Sequence, residues 1–215
     1  MPDQTPEDAY RSYFREVELH WSWRREKQII VSPLEFEAID RWYRTEIPLA
    51  VVLRAIDLFI EKKKKSKRQH SFILTHAEQT VAKVMREYIS LHEGEGEPGE
   101  PDLVSAKLKT LAAKLEKVKK GFPDLAGLFD SMIRDLGAID LGEAVQYEDI
   151  DAGLARIDRT MTEGFTDRLD AEEKEAIRAE ISEILDEEED PEFFRKMFLD
   201  SVRAYFGLPR LTLLG

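Results

Sequence analysis

The run Lys62-Lys63-Lys64-Lys65-Ser66-Lys67-Arg68 places six cations within seven residues of a chain whose net charge is −12. Cations at this density neutralise phosphates and release their counterions, so the chemistry on offer is contact with a nucleic-acid backbone. A second run, Trp21-Ser22-Trp23-Arg24-Arg25-Glu26-Lys27, sets Arg24, Arg25 and Lys27 beside two indoles of the kind that stack on bases. A third set lies on a helix opening at Thr75. His76, Gln79, Thr80, Lys83 and Arg86 share one face there, and such side chains reach a groove edge or a backbone. Each set also has a plainer reading. Lysines at a helix C-terminus complement its dipole, indoles fill cores, and a mixed polar face is ordinary on a surface helix.

Other chemistry is thinly represented. The four histidines, His20, His70, His76 and His92, form neither a His-Glu-x-x-His nor a Glu-x-x-His pair and read as surface or loop residues. There is no cysteine, which removes disulfides, thiolate metal sites and a thiol nucleophile together. No phosphate-binding glycine loop, dinucleotide fingerprint or nucleophile elbow occurs. The acidic run Asp186-Glu187-Glu188-Glu189-Asp190 reads as a solvated helix end, because catalytic carboxylates need burial and a partner to tune them. The expectation is therefore a protein that is not an enzyme and that carries neither metal nor cofactor.

The elements that position these groups are helical. Thr5-Pro6, Ser32-Pro33-Leu34-Glu35 and Thr75-His76-Ala77-Glu78 are N-terminal signals, the last two written as capping boxes. Tyr10, Tyr13, Phe14, Val17 and Trp21 recur at helical spacing, and so do Phe36, Ile39, Trp42 and Tyr43. The helix starting at Pro48 is apolar almost all round, with Arg54, Asp57 and Glu61 as its only polar face. It should form the centre of the N-terminal core. The short β-branched stretch 28–31 reads as extended. Beyond residue 102 the spacing predicts five more helices. One carries Leu108, Leu111 and Leu115, and the next Leu125, Leu128 and Met132. A third runs through Ile150 to Phe165, a fourth is capped by Asp170 with Glu173, and a fifth runs from Asp190-Pro191 to Gly207. The apolar tail 208–214 should dock on a surface.

Between the halves, residues 93–102 carry five acids, no base and no apolar side chain, and read as a linker. The predicted class is all-α: an N-terminal four-helix module with a basic loop (1–92), an acidic Gly/Pro linker (93–102) and an acidic helical bundle (103–215). Residues 1–92 have 16 Lys/Arg against 14 Asp/Glu, whereas 103–215 have 16 against 25. That asymmetry suggests different surroundings: nucleic acid through the basic loop, a protein partner through the acidic half. The start of the chain lacks a cationic then apolar leader pattern, and no apolar run approaches the length of a membrane span. A soluble, cytoplasmic protein is the expectation.

The order Ser32-Pro33-Leu34-Glu35, Ile39-Asp40-Arg41-Trp42, Ile47-Pro48-Leu49-Ala50-Val51-Val52 and Ala55-Ile56, followed by a polar loop and a third helix, resembles the C-terminal helical module of the DnaD/DnaB-type primosomal proteins. The resemblance covers about sixty residues. It implies a role in bacterial or phage replication initiation and contact with DNA. That family's closing helix carries Tyr, Ile and Trp at four-residue spacing, where this chain has Ala77, Val81 and Met85. A recognition helix needs an exposed polar face. The helix after Pro48 lacks one, so DNA contact would fall to the lysine loop and the third helix. Two readings stand: a DNA- or replication-associated module joined to a protein-contact domain, or a helical adaptor with no nucleic-acid role.

Overall fold

A computed structural model describes residues 5–25, 32–64, 73–92, 100–142 and 147–214, with the side chains of 92, 100–103 and 148 left aside. Among them the regular structure is entirely helical, with no strand. The helices are α1 (Pro6–Arg25), α2 (Pro33–Arg44), α3 (Leu49–Lys64), α4 (Glu78–His92), α5 (Glu100–Lys119), α6 (Ala126–Gly137), α7 (Tyr147–Thr166), α8 (Ala171–Ser182) and α9 (Pro191–Phe206). Short 3-10 turns, Leu74–Ala77 and Pro123–Leu125, precede α4 and α6. The chain divides into two compact units. Unit 1 takes 1–89, 183–185 and 214–215, and unit 2 takes 90–182 and 186–213.

In unit 1 the caps explain where helices start. Thr5 Oγ1 accepts from the Asp8 amide at 3.2 Å, while the Asp8 carboxylate accepts from the Thr5 amide at 3.3 Å. Ser32 and Glu35 close the expected capping box on α2. At the end of α2 the Ile47 amide reaches back to the Trp42 carbonyl and the Glu46 amide to that of Tyr43, both at 3.0 Å. This is a Schellman turn, and its left-handed position is held by Glu46 at φ 55° rather than by glycine. α3 supplies Val51, Val52, Ala55, Ile56, Phe59 and Ile60 to the core and packs against α1, where Val17 and Trp21 are buried; Ile39 and Trp42 of α2, which also packs on α1, are buried too.

Several expectations are corrected. Thr75 opens no capping box. It lies inside the 3-10 turn, whose cap residue Ile73 makes no side-chain bond, and the Leu74 amide is taken by Glu35 Oε1 at 3.1 Å. Asp57 does not sit on a solvated face but is 2% exposed. Positions 100–102 of the expected linker are already helical in α5, and 93–99 lie outside the described residues, as does the stretch 28–31.

In unit 2, α6 packs against α5 and α7, and α9 packs against α7 and α8. Phe165 of α7 is the aromatic centre, with Phe122 at 4.8 Å, Phe206 at 5.0 Å and Phe129 at 6.0 Å between ring centroids. α8 opens on a reciprocal pair: Asp170 Oδ1 accepts from the Glu173 amide at 2.8 Å, and Glu173 Oε2 from the Asp170 amide at 2.9 Å. α9 ends on Gly207 at φ 64°, again a Schellman turn, with the Leu208 amide on the Arg203 carbonyl at 2.9 Å. Leu208, Leu211 and Leu213 of the tail are then buried. Arg203 fastens this segment. Its guanidinium donates to Asp158 and to the Pro209 carbonyl, at 2.8 and 3.0 Å from Nη1, while the Leu211 amide donates to Asp158 at 2.9 Å.

Candidate nucleic-acid interface

The cations singled out in the sequence separate into two populations. Lys62 and Lys64, on the last turn of α3, are exposed, and Lys63 lies with its ammonium 5.4 Å from the Phe59 ring centre. Cations in the last turn of a helix are favoured by its negative dipole end. Lys65, Lys67, Arg68 and Lys27 lie outside the described residues. On α4, Gln79, Lys83 and Arg86 are exposed, and their spacing of four and three residues puts them on one face with His76 on the preceding turn. Glu78, at the start of that helix, is drawn aside into an ion pair with Arg41.

Arg24 and Arg25 belong to the other population. They turn toward acids of their own unit. Arg24 Nε lies 2.8 Å from Asp57 Oδ1, and the guanidinium carbon sits 5.3 Å from the Trp23 ring centre. Asp57 also meets His20 Nε2 at 3.0 Å. Arg25 sits 4.6 Å from the Trp21 ring centre and reaches Glu35 at 3.5 Å. Burial lowers the pKa of Arg25, and the nearby Glu35 carboxylate works against that shift. Trp21 is fully buried and Trp23 is 8% exposed, so neither indole offers a face to a base. His20, read from the sequence as a surface histidine, is buried as well.

Glu35 is the hub of this interior. Besides the capping box it accepts from Trp21 Nε1 at 3.2 Å and from the Leu74 amide at 3.1 Å. Burial alone would raise its pKa. The bonds from the Leu74 and Ser32 amides, the Ser32 hydroxyl and the Arg25 charge outweigh that and hold it below the ordinary carboxylate value. One carboxylate thus ties α1, α2 and the turn before α4 together. The sequence did carry a signal for the partner hub. Asp57 shares a narrow polar face with Arg54 and Glu61 but is flanked by Ile56 and Leu58, and His20 and Arg24 sit one helical turn apart on α1. An acid in such a place needs a buried cation or donor.

The exposed cations at the end of α3 and on α4 supply positive charge of the kind that meets an anionic backbone. Among the described residues no cluster of His, Asp or Glu is arranged to hold a metal ion, and no helix is long and apolar enough to cross a membrane. Comparison with known proteins finds no matching family model, no matching curated protein and no matching solved structure.

Proposed function

We propose that the chain is a non-enzymatic helical binding protein. In this reading residues 1–92 form a DNA- or replication-associated module, 93–102 a linker, and 103–215 an acidic domain that contacts protein. The observation that carries the nucleic-acid half is the exposed face of α4. Gln79, Lys83 and Arg86 project there, with the half-buried Glu87 one turn after Lys83, and Lys62 and Lys64 are exposed at the end of α3. Because Trp21 and Trp23 are internal, this mode relies on phosphate contact and not on base stacking. Steep salt dependence and weak sequence preference should result.

The test is fluorescence anisotropy with labelled duplex and single-stranded DNA across a salt series. Replacing Lys62, Lys63, Lys64, Lys83 and Arg86 by Ala should lower affinity and flatten the log–log salt slope by about 0.9 for each duplex phosphate that is no longer neutralised. Unchanged affinity and slope would end this assignment.

A helical adaptor without nucleic-acid contact is the second reading, and one observation favours it. Leu34 and Phe36 are 64% and 46% exposed on α2, with the Phe36 ring tilted against Phe14 at 4.9 Å between centroids. An adaptor would bind no DNA at any salt and would lose partner binding on Phe36→Ser.

A further inference from the structure

In unit 2 one face of α7 lies at the bottom of two hollows between α6 and α9. The hollows, of about 690 and 600 Å³, run along it and meet at Leu128 and Thr160. The floor comes from Asp149, Ile150, Gly153, Ile157, Thr160 and Gly164 of α7, positions that recur every three or four residues and so share a face. From Asp149 to Gly164 that face is about 22 Å long at about 1.5 Å per residue. Two of these positions, Gly153 and Gly164, carry no side chain. At Gly164 the space of a Cβ is already taken by Leu128, whose Cδ2 would lie 2.8 Å away. One wall is α6, with Leu128 and Met132, and the other is α9, with Phe194, Phe198 and Leu199.

The rim is acidic. Asp135, Asp140 and Asp149 line one end, and Glu163, Asp167 and Glu187 the other. Three arginines also line the groove, and two of them neutralise Glu163 and Glu187, which leaves Asp167 to make that end acidic. Arg195 pairs with Glu163 and Arg178 with Glu187, each at 2.6 Å. Arg178 further lies over the Phe194 and Phe198 rings, at 6.0 and 5.4 Å. Asp135, Asp149 and Asp167 form no ion pair among the described residues; Arg156 lines the same hollow as Asp135 and Asp149. An apolar floor between acidic ends disfavours an anionic occupant and favours one with an apolar stripe and cations at its flanks.

We propose that this groove docks a helix of a partner protein, about fifteen residues long by the length of the floor, apolar along one stripe and rich in Lys or Arg on both flanks. The inference deepens the protein-contact half of the reading above and makes no use of the DNA-contacting half.

The test uses the full chain and two labelled synthetic helices: one of Leu, Ala and Lys with a single apolar stripe, and a twin with Glu in place of Lys. Thr160→Trp fills the floor, and the double variant Asp149→Lys, Asp167→Lys reverses the rim. All three positions are exposed or rim positions, so thermal unfolding of both variants should match the parent. The Lys helix should bind, the Glu twin should not, and each variant should weaken the Lys helix at least tenfold. If charge reversal weakens binding but Thr160→Trp does not, the peptide is held by acidic surface alone and the groove is overturned while protein contact by this half stands. If neither helix binds, both fall. If sedimentation shows a dimer that Thr160→Trp dissolves, the occupant is a second copy of this chain, and the partner-protein assignment is overturned.

Discussion

The two units bury charge in opposite ways. In unit 1 the centres are acids. Asp57 gathers His20 and Arg24, and Glu35 gathers Trp21, Arg25, Ser32 and the Leu74 amide. In unit 2 the centre is a cation. Arg203 meets Asp158 and Asp200 and holds the backbone of the tail through the Pro209 carbonyl. A buried charge must be paired and hydrogen-bonded, and the sign of the centre decides which neighbours are recruited. In unit 1 an acidic centre draws arginines inward, out of the set available to a ligand. In unit 2 a cationic centre draws backbone carbonyls and acids, and so fixes an otherwise irregular segment.

The largest expected effect tests the acidic centre. Asp57→Ala leaves a buried His20 and the Arg24 guanidinium without their acid, and should cost about 4 kcal/mol, read as a fall in the urea midpoint at unchanged slope. Arg203→Met should cost less, about 3 kcal/mol. Its acids keep other donors: Arg210 on Asp200 at 2.7 Å and the Leu211 amide on Asp158 at 2.9 Å. Hydrogen exchange in 208–213 should rise at the same time. If Arg203→Met proves the costlier change, the contrast between the units fails.

Glu35→Gln comes next, at about 2 kcal/mol for replacing a charged acceptor of several bonds. It also carries a pH signature. The folded pKa of Glu35 is depressed. Its contribution is therefore fully present above the unfolded value of about 4.3 and is lost as pH falls through the lower folded value. The midpoints of parent and variant should differ at neutral pH and converge only as pH falls through the depressed folded value. Curves that stay parallel to the lowest pH at which the protein folds would remove Glu35 from the role of hub.

The smallest effects compare the two helix ends. Glu46 and Gly207 occupy the same left-handed position of the same turn, at φ 55° and 64°. Glu46→Gly should stabilise by about 1 kcal/mol and Gly207→Ala should destabilise by a similar amount. Differential scanning calorimetry reads both. Equal and opposite shifts would show that the penalty is local to the turn.

Much of the helical order was legible because its signals are local. Ser32 with Glu35, Asp170 with Glu173, Pro191 and Gly207 act within one turn of the residues they cap. The apolar period of α3 likewise marks an interior helix, with seven of its residues buried. What misled was charge. Whether Arg24 faces solvent or Asp57 depends on an element more than thirty residues away, and helical spacing carries no information about it. Thr75 failed for a related reason. Its motif is a valid local cap, but the turn already opens at Leu74, and Glu78, the box's second member, pairs with Arg41, thirty-seven residues earlier. The groove on α7 left only faint traces, Gly153 and Gly164 eleven residues apart, because a hollow is a property of three helices together.

One consequence of the core composition is optical. The chain has three tryptophans, Trp21, Trp23 and Trp42, and all are buried in unit 1. Red-edge excitation of indole therefore reports on one unit alone, whereas the far-ultraviolet helical signal reports on both. Any gap between the two melting curves reads out directly whether the halves unfold as one cooperative body or in succession.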